Sequence, residues 1–93
     1  MQEPLAPDDA KRLIREILAS GDVRFSRHAT EEMASDDLEA LDCINVLRGG
    51  FVEPAEFENG SWRYRVLAQR MAVVVAFRSE RALVVVTAWR FKR

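Results

Sequence analysis

Glu56-Phe57-Glu58-Asn59-Gly60-Ser61-Trp62-Arg63-Tyr64-Arg65-Val66 alternates polar and apolar residues on both sides of an Asn-Gly pair. Asn-Gly between two alternating runs signals a two-residue hairpin, because both turn positions need positive φ. The alternation continues to the end of the chain and predicts four strands, at about 51–58, 61–67, 70–78 and 82–91. Pro54 has no amide hydrogen to give a ladder, so the first strand belongs at an edge. Ala68-Gln69 and Ser79-Glu80 read as the two remaining turns.

Upstream of Phe51 the apolar period is helical. Asp8 is the expected cap of a helix to about Ser20, with Ala10, Leu13, Ile14, Ile17 and Leu18 on one face, and Gly21 stops it. Val23-Arg24-Phe25 reads as a short extended link. Ser26 caps a second helix, roughly Arg27 to Ala34. Asp36 and Glu39 resemble a capping box opening a third helix, with Leu38, Leu41, Ile44 and Leu47 as its core positions and Gly49-Gly50 as its end. The expected fold is one α+β domain over 1–93. Three N-terminal helices, within 7–50, pack on one face of a four-stranded antiparallel meander over 51–93, and 1–6 form a flexible lead-in.

If all three turns have two residues, Glu56 faces Arg63, Phe57 faces Trp62, Tyr64 faces Val73, and Val73 faces Val86. One sheet face then collects Phe57, Trp62, Tyr64, Val66, Met71, Val73, Val75, Phe77, Val84 and Val86, and should receive the helices. The other collects Glu56, Glu58, Arg63, Arg65, Arg70, Thr87 and Trp89, with Val74, Leu83 and Val85 between them.

Charge is segregated along the chain. Residues 1–60 carry 14 Asp/Glu against 6 Lys/Arg, a formal −8, whereas residues 61–93 carry one acid, Glu80, against 8 Lys/Arg, a formal +7. A sheet face bearing several arginines suits a polyanion. No apolar run is long enough to span a bilayer and no signal peptide is evident, so the expected compartment is the cytoplasm. The single cysteine, Cys43, falls in a helical apolar rhythm and reads as a buried, inert thiol. One His and one Cys do not make a usual zinc site, and no cofactor motif is present.

Metal-free acid–base chemistry beside a cationic phosphate site remains. Cleavage of RNA can run that way, because the 2′-hydroxyl of the substrate is the nucleophile and the protein moves protons and stabilises charge. His28, just inside the second helix, is the candidate proton carrier, with Glu31 or Glu32 in reach of its ring; a lone histidine is also commonly structural. Arg63 and Arg65 share a strand face and can bracket a phosphate, or else Glu56 pairs with Arg63 and Arg65 is solvated. Thr87 can hold a phosphate oxygen, and Trp89 can stack on a base. Arg70 and the terminal Arg90-Phe91-Lys92-Arg93 add positive charge.

Ile17-Leu18-Ala19-Ser20-Gly21-Asp22-Val23-Arg24-Phe25-Ser26-Arg27-His28-Ala29, then Leu41-Asp42-Cys43-Ile44-Asn45-Val46-Leu47, and the ending Arg90-Phe91-Lys92-Arg93 resemble MqsR-type bacterial toxins. His28-Ala29, Met33, Trp62-Arg63-Tyr64-Arg65-Val66 and Val86-Thr87-Ala88-Trp89 are also similar to a wider group of small domains related to RelE-type toxins. The resemblance implies a RelE-like fold and a cytoplasmic endoribonuclease that cuts mRNA and is neutralised by a cognate antitoxin. By motif position it implies catalytic roles for His28, Thr87 and Lys92, and a phosphate-side cation at Arg63 or Arg65. Arg63, Arg65 and Arg70 stand where the MqsR group has a different polar set. The expected catalytic set is thus His28, Arg65, Thr87 and Lys92, the substrate-binding set Arg63, Arg70, Trp89 and Arg90, and the expected partners are RNA, an antitoxin and a second copy of the chain. Two other readings fit the same residues: a non-catalytic module binding nucleic acid or protein on its arginine face, and an interaction protein pairing through a sheet edge.

Overall fold

The computed structural model describes residues 1–92. Helix α1 (Pro7–Ser20) is followed by strand β1 (Asp22–Phe25), helices α2 (Arg27–Ser35) and α3 (Ala40–Gly49), and strands β2 (Phe51–Val52), β3 (Glu56–Glu58), β4 (Ser61–Leu67), β5 (Met71–Ser79) and β6 (Ala82–Arg90). The sheet has six strands in the order β1-β6-β5-β4-β2, with β3 also paired to β4. It is mixed, because β1 runs parallel to β6 while the other pairs are antiparallel.

The expected four-stranded antiparallel meander is therefore corrected at two places. Val23-Arg24-Phe25 is no link but the edge strand β1, held by a partner some sixty residues away, Asp22 to Phe25 opposite Ala82 to Val85. The expected strand 51–58 is two strands, since Pro54 interrupts it between Val52 and Glu56. The break is local: the Glu53 amide still donates to the Arg65 carbonyl at 2.9 Å.

The helix ends follow local chemistry. Pro7 sits in the first turn of α1, where its missing amide hydrogen removes no helical bond, and Asp8 and Asp9 lie inside that turn rather than capping it. Ser26 caps α2, its Oγ accepting from the Ala29 amide at 3.0 Å while donating to the Val86 carbonyl at 2.9 Å. This one residue fixes both the start of α2 and its seat beside β6. The box at the start of α3 lies three residues later than expected, with the Glu39 amide donating to the Asp42 carboxylate at 2.8 Å. The buried face of α3 is accordingly Cys43, Val46 and Leu47, and Leu41 points out to solvent.

The helices cover one face of the sheet. Ala10, Ile14 and Ile17 of α1, Ala29 and Met33 of α2 and the α3 face enclose a core with Tyr64, Val66, Met71, Val73, Val75, Phe77, Leu83, Val85 and Ala88. Leu83 and Val85, expected on the open face, are inside, and the expected Val84 and Val86 are not part of the core. The turns explain the exchange. Four residues, not two, separate the paired Leu67 and Ala72, so Tyr64 faces Val75 instead of Val73; this shift of two preserves the faces. Register irregularities in β5–β6 fall between Phe77 and Ser79 and between Val74 and Val75, and between them the faces of β6 invert. The second irregularity, with Val86 as the extra residue, returns Thr87 and Trp89 to the open face.

The lead-in packs against this core. The Leu5 amide donates to the Tyr64 hydroxyl at 2.9 Å, that hydroxyl donates to Glu3 Oε2 at 2.8 Å, and the Met1 amino group lies 3.5 Å from Glu80 Oε2. Among the described residues, no helix is long and apolar enough to cross a membrane.

Candidate nucleic-acid interface

The face away from the helices can be followed across the ladders, since residues directly opposite share a face. One row runs Arg65, Val74, Thr87 across β4, β5 and β6. The β3–β4 hairpin curls beside this row, and together they form a half-open groove of about 620 Å³ lined by charged and polar residues of the hairpin and by Val74, Thr87 and Trp89. Asn59 (φ 51°) and Gly60 (φ 82°) make the expected tight turn at the hairpin tip, and Phe57 meets Trp62 edge-on at 5.1 Å between ring centroids. The groove thus brings together four of the expected site residues: Arg63, Arg65, Thr87 and Trp89.

Carboxylates share this groove. Glu53, Glu56 and Glu58 line it, and the ion pairs are diagonal, not the directly opposed Glu56–Arg63 pair that stood as the alternative to phosphate binding. Arg65 contacts Glu53 through Nε at 3.4 Å and Glu56 through Nη2 at 3.3 Å; Arg63 contacts Glu58 through Nη1 at 3.4 Å. Arg63 Nε is buried with no hydrogen-bond partner, the one such side-chain atom among the described residues. That N–H is covered by the fold, and the outer guanidinium nitrogens are the part of Arg63 that faces the groove.

The remaining expected residues lie elsewhere. His28 is on the first turn of α2 with its side chain 64% exposed, its Nε2 3.8 Å from Glu32 Oε1, and it does not line the groove. Arg70 is exposed in the β4–β5 connection. Arg90 is engaged in the fold: its Nε and Nη2 donate to the Asp36 and Asp37 carbonyls at 3.2 and 3.1 Å, and its amide donates to Asp36 Oδ2 at 2.8 Å. These bonds close the end of α2, which needs acceptors satisfied there. Lys92 is exposed beyond β6, beside a shallow depression that also includes Glu32 and Trp89. Arg93 lies outside the described residues.

The residues that sequence reasoning missed are Glu53 and the groove roles of Glu56 and Glu58. A signal existed in the acid spacing 53, 56, 58 opposite Arg63 and Arg65, but only the Pro54 break turns Glu53 toward Arg65. Among the described residues, no group of three His, Cys, Asp or Glu side chains is placed to hold a metal ion. Cys43 is buried, and burial, reinforced by the Asp42 charge, pushes its thiol up to about 11, so it is a protonated core residue. No family model matches the chain, and no curated protein or solved structure matches it.

Proposed function

We propose that the open sheet face binds RNA and cleaves it without a metal ion, as the toxin of a toxin–antitoxin pair. The convergence of Arg63, Arg65, Thr87 and Trp89 in one groove carries this reading. Guanidinium groups suit phosphate oxygens, a threonine hydroxyl adds a donor, and an indole offers a stacking surface.

The same groove holds a proton acceptor. Glu53, in contact with Arg65, accepts the 2′-hydroxyl proton as O2′ attacks phosphorus. The P–O5′ bond breaks, the 5′-oxygen takes the proton back from the carboxylic acid, and the products are a 2′,3′-cyclic phosphate and a 5′-hydroxyl. Arg65 stabilises the extra negative charge of the transition state. His28, away from the groove lining, has no part in this scheme. An acidic antitoxin segment that covers the arginines would silence it.

Purified protein incubated with single-stranded RNA in excess chelator tests the proposal. We expect cleavage leaving 2′,3′-cyclic ends, a loss of at least about a hundredfold in Glu53→Gln and Arg65→Ala, and retained cleavage in His28→Ala. The competing reading is a non-catalytic binding module, favoured by the exposure of His28 and by the carboxylates already held against both arginines. Bound but intact RNA would select it.

A further inference from the structure

A second row crosses the open face next to Arg65 and Thr87. Phe51 faces Leu67, Leu67 faces Ala72, and Ala72 faces Trp89, so an aromatic ring stands at each end with small or slender residues between. Phe51 is the most exposed large apolar side chain among the described residues, at 67%. It lies on β2 rather than in the groove, and it lines a shallow depression with Gly49, Gly50 and Leu67. Nothing in the core requires it, since its neighbour Val52 makes the inward contact. Its ring is open to solvent on the same face as the arginines and offers a flat surface on which a base can stack.

We infer that Phe51 and Trp89 are two base-stacking platforms, and that the face takes single-stranded RNA laid across the strands. This rests on the RNA reading of the groove and adds where two of the bases are held. Three strand steps separate the two rings, about 14 Å, a span of a few unstacked nucleotides. The parallel row of Arg65 and Thr87 lies one residue pair away along the strands, where it meets the phosphates between the stacked bases. Glu53, Glu56 and Glu58 already match Arg63 and Arg65, so the charge that favours a polyanion over an apolar protein segment comes from the arginines left unpaired. Arg24 faces Val84 on the same side, and neither it nor Arg78 makes an ion pair among the described residues. A duplex cannot use this surface, because its bases are already paired and stacked. Every base has a π-face, so the platforms select strandedness and length more than sequence.

The test is fluorescence anisotropy with a labelled single-stranded octaribonucleotide and a hairpin duplex RNA, both 2′-O-methylated so that no 2′-hydroxyl is present to attack, and with inorganic polyphosphate. Phe51→Ala should weaken octamer binding about tenfold or more and leave polyphosphate binding unchanged. Phe51→Trp should restore the octamer affinity. Thermal denaturation should show both variants folded, as expected for an exposed position. Octamer binding unchanged in Phe51→Ala but lost in Arg65→Ala would overturn the platform and leave the RNA reading standing. Duplex bound as tightly as the single strand would do the same. No octamer binding by the unaltered protein at low salt, with or without polyphosphate binding, would sink both.

Discussion

Tyr64 shows how one side chain ties the ends of the chain together. Its ring is fully buried, 5.0 Å from that of Phe77 between centroids, and its hydroxyl serves both Leu5 and Glu3. Burial pushes the phenol up to about 12, partly offset by the Leu5 amide, and Cys43 is pushed up to about 11. Both groups are neutral when protonated, so the unfolded chain releases its protons first as pH rises. Stability is full below pH 9 and falls through 9 to 11 for Cys43 and 10 to 12 for Tyr64. Urea denaturation at stepped pH should show a plateau near neutrality and a loss of the order of 2 kcal/mol for each group by the top of its window. Tyr64→Phe should remove the Tyr64 part of that alkaline decline and cost about 1–2 kcal/mol at pH 7, where Leu5 and Glu3 lose their partner. An equally steep decline in Tyr64→Phe would show that the phenol does not govern it. At this scale the sequence reading succeeds where residue type and period agree: Cys43 on an apolar helical rhythm, Arg63 and Arg65 on alternate positions of one strand. It does not place His28, whose helix holds it outside the groove lining.

Elements differ in how openly the sequence announces them. The Asn59-Gly60 hairpin is legible because its determinant is two adjacent residues. Strand β1 is not, because four residues with a partner sixty positions away carry no local turn signal. Gly21 is its one local trace: a Cβ there would clash with the Arg81 carbonyl oxygen, so glycine lets the chain pass close to the β5–β6 turn. The β6 irregularity at Val86 leaves no sequence mark either, yet it decides which residues of that strand face the core. Thr87 and Trp89 remain on the open face because the two register irregularities cancel. The end of α2 is a Schellman motif, with Leu38 donating to Met33 at 2.8 Å and Asp37 to Ala34 at 3.3 Å. Asp37 occupies its left-handed position at φ 57° and is exposed, so its side chain contributes little to set against the strain. Asp37→Gly should therefore raise stability by about 0.5–1 kcal/mol, measured by chemical denaturation. Unchanged or lowered stability would mean that the aspartate makes a compensating contribution.

The whole molecule separates its charge by layer, with acidic helices on one side and arginines on the sheet, and the near-zero total of −1 conceals this. That segregation was readable from the sequence, and so was a Glu56 carboxylate beside the arginines, but the double hold of Glu53 and Glu56 on Arg65 was not. Glu53, Glu56 and Glu58 come from the acidic part of the chain and are folded against Arg63 and Arg65, so a polyanion must compete with internal carboxylates. Such exposed pairs are each worth little, on the order of 1 kcal/mol or less, and a phosphate can displace them. Competition sets the expected binding behaviour. With two to four arginine–phosphate contacts, raising salt from 50 to 200 mM should weaken single-strand binding by about one order of magnitude or more. Glu56→Gln frees Arg65 from one of its two carboxylates while leaving Glu53 in place, and should tighten binding several-fold at low salt. Both effects are read from anisotropy titrations across a salt series. If Glu56→Gln binds no tighter and the salt dependence is flat, phosphate does not reach Arg65, and the polyanion surface must lie elsewhere on the molecule.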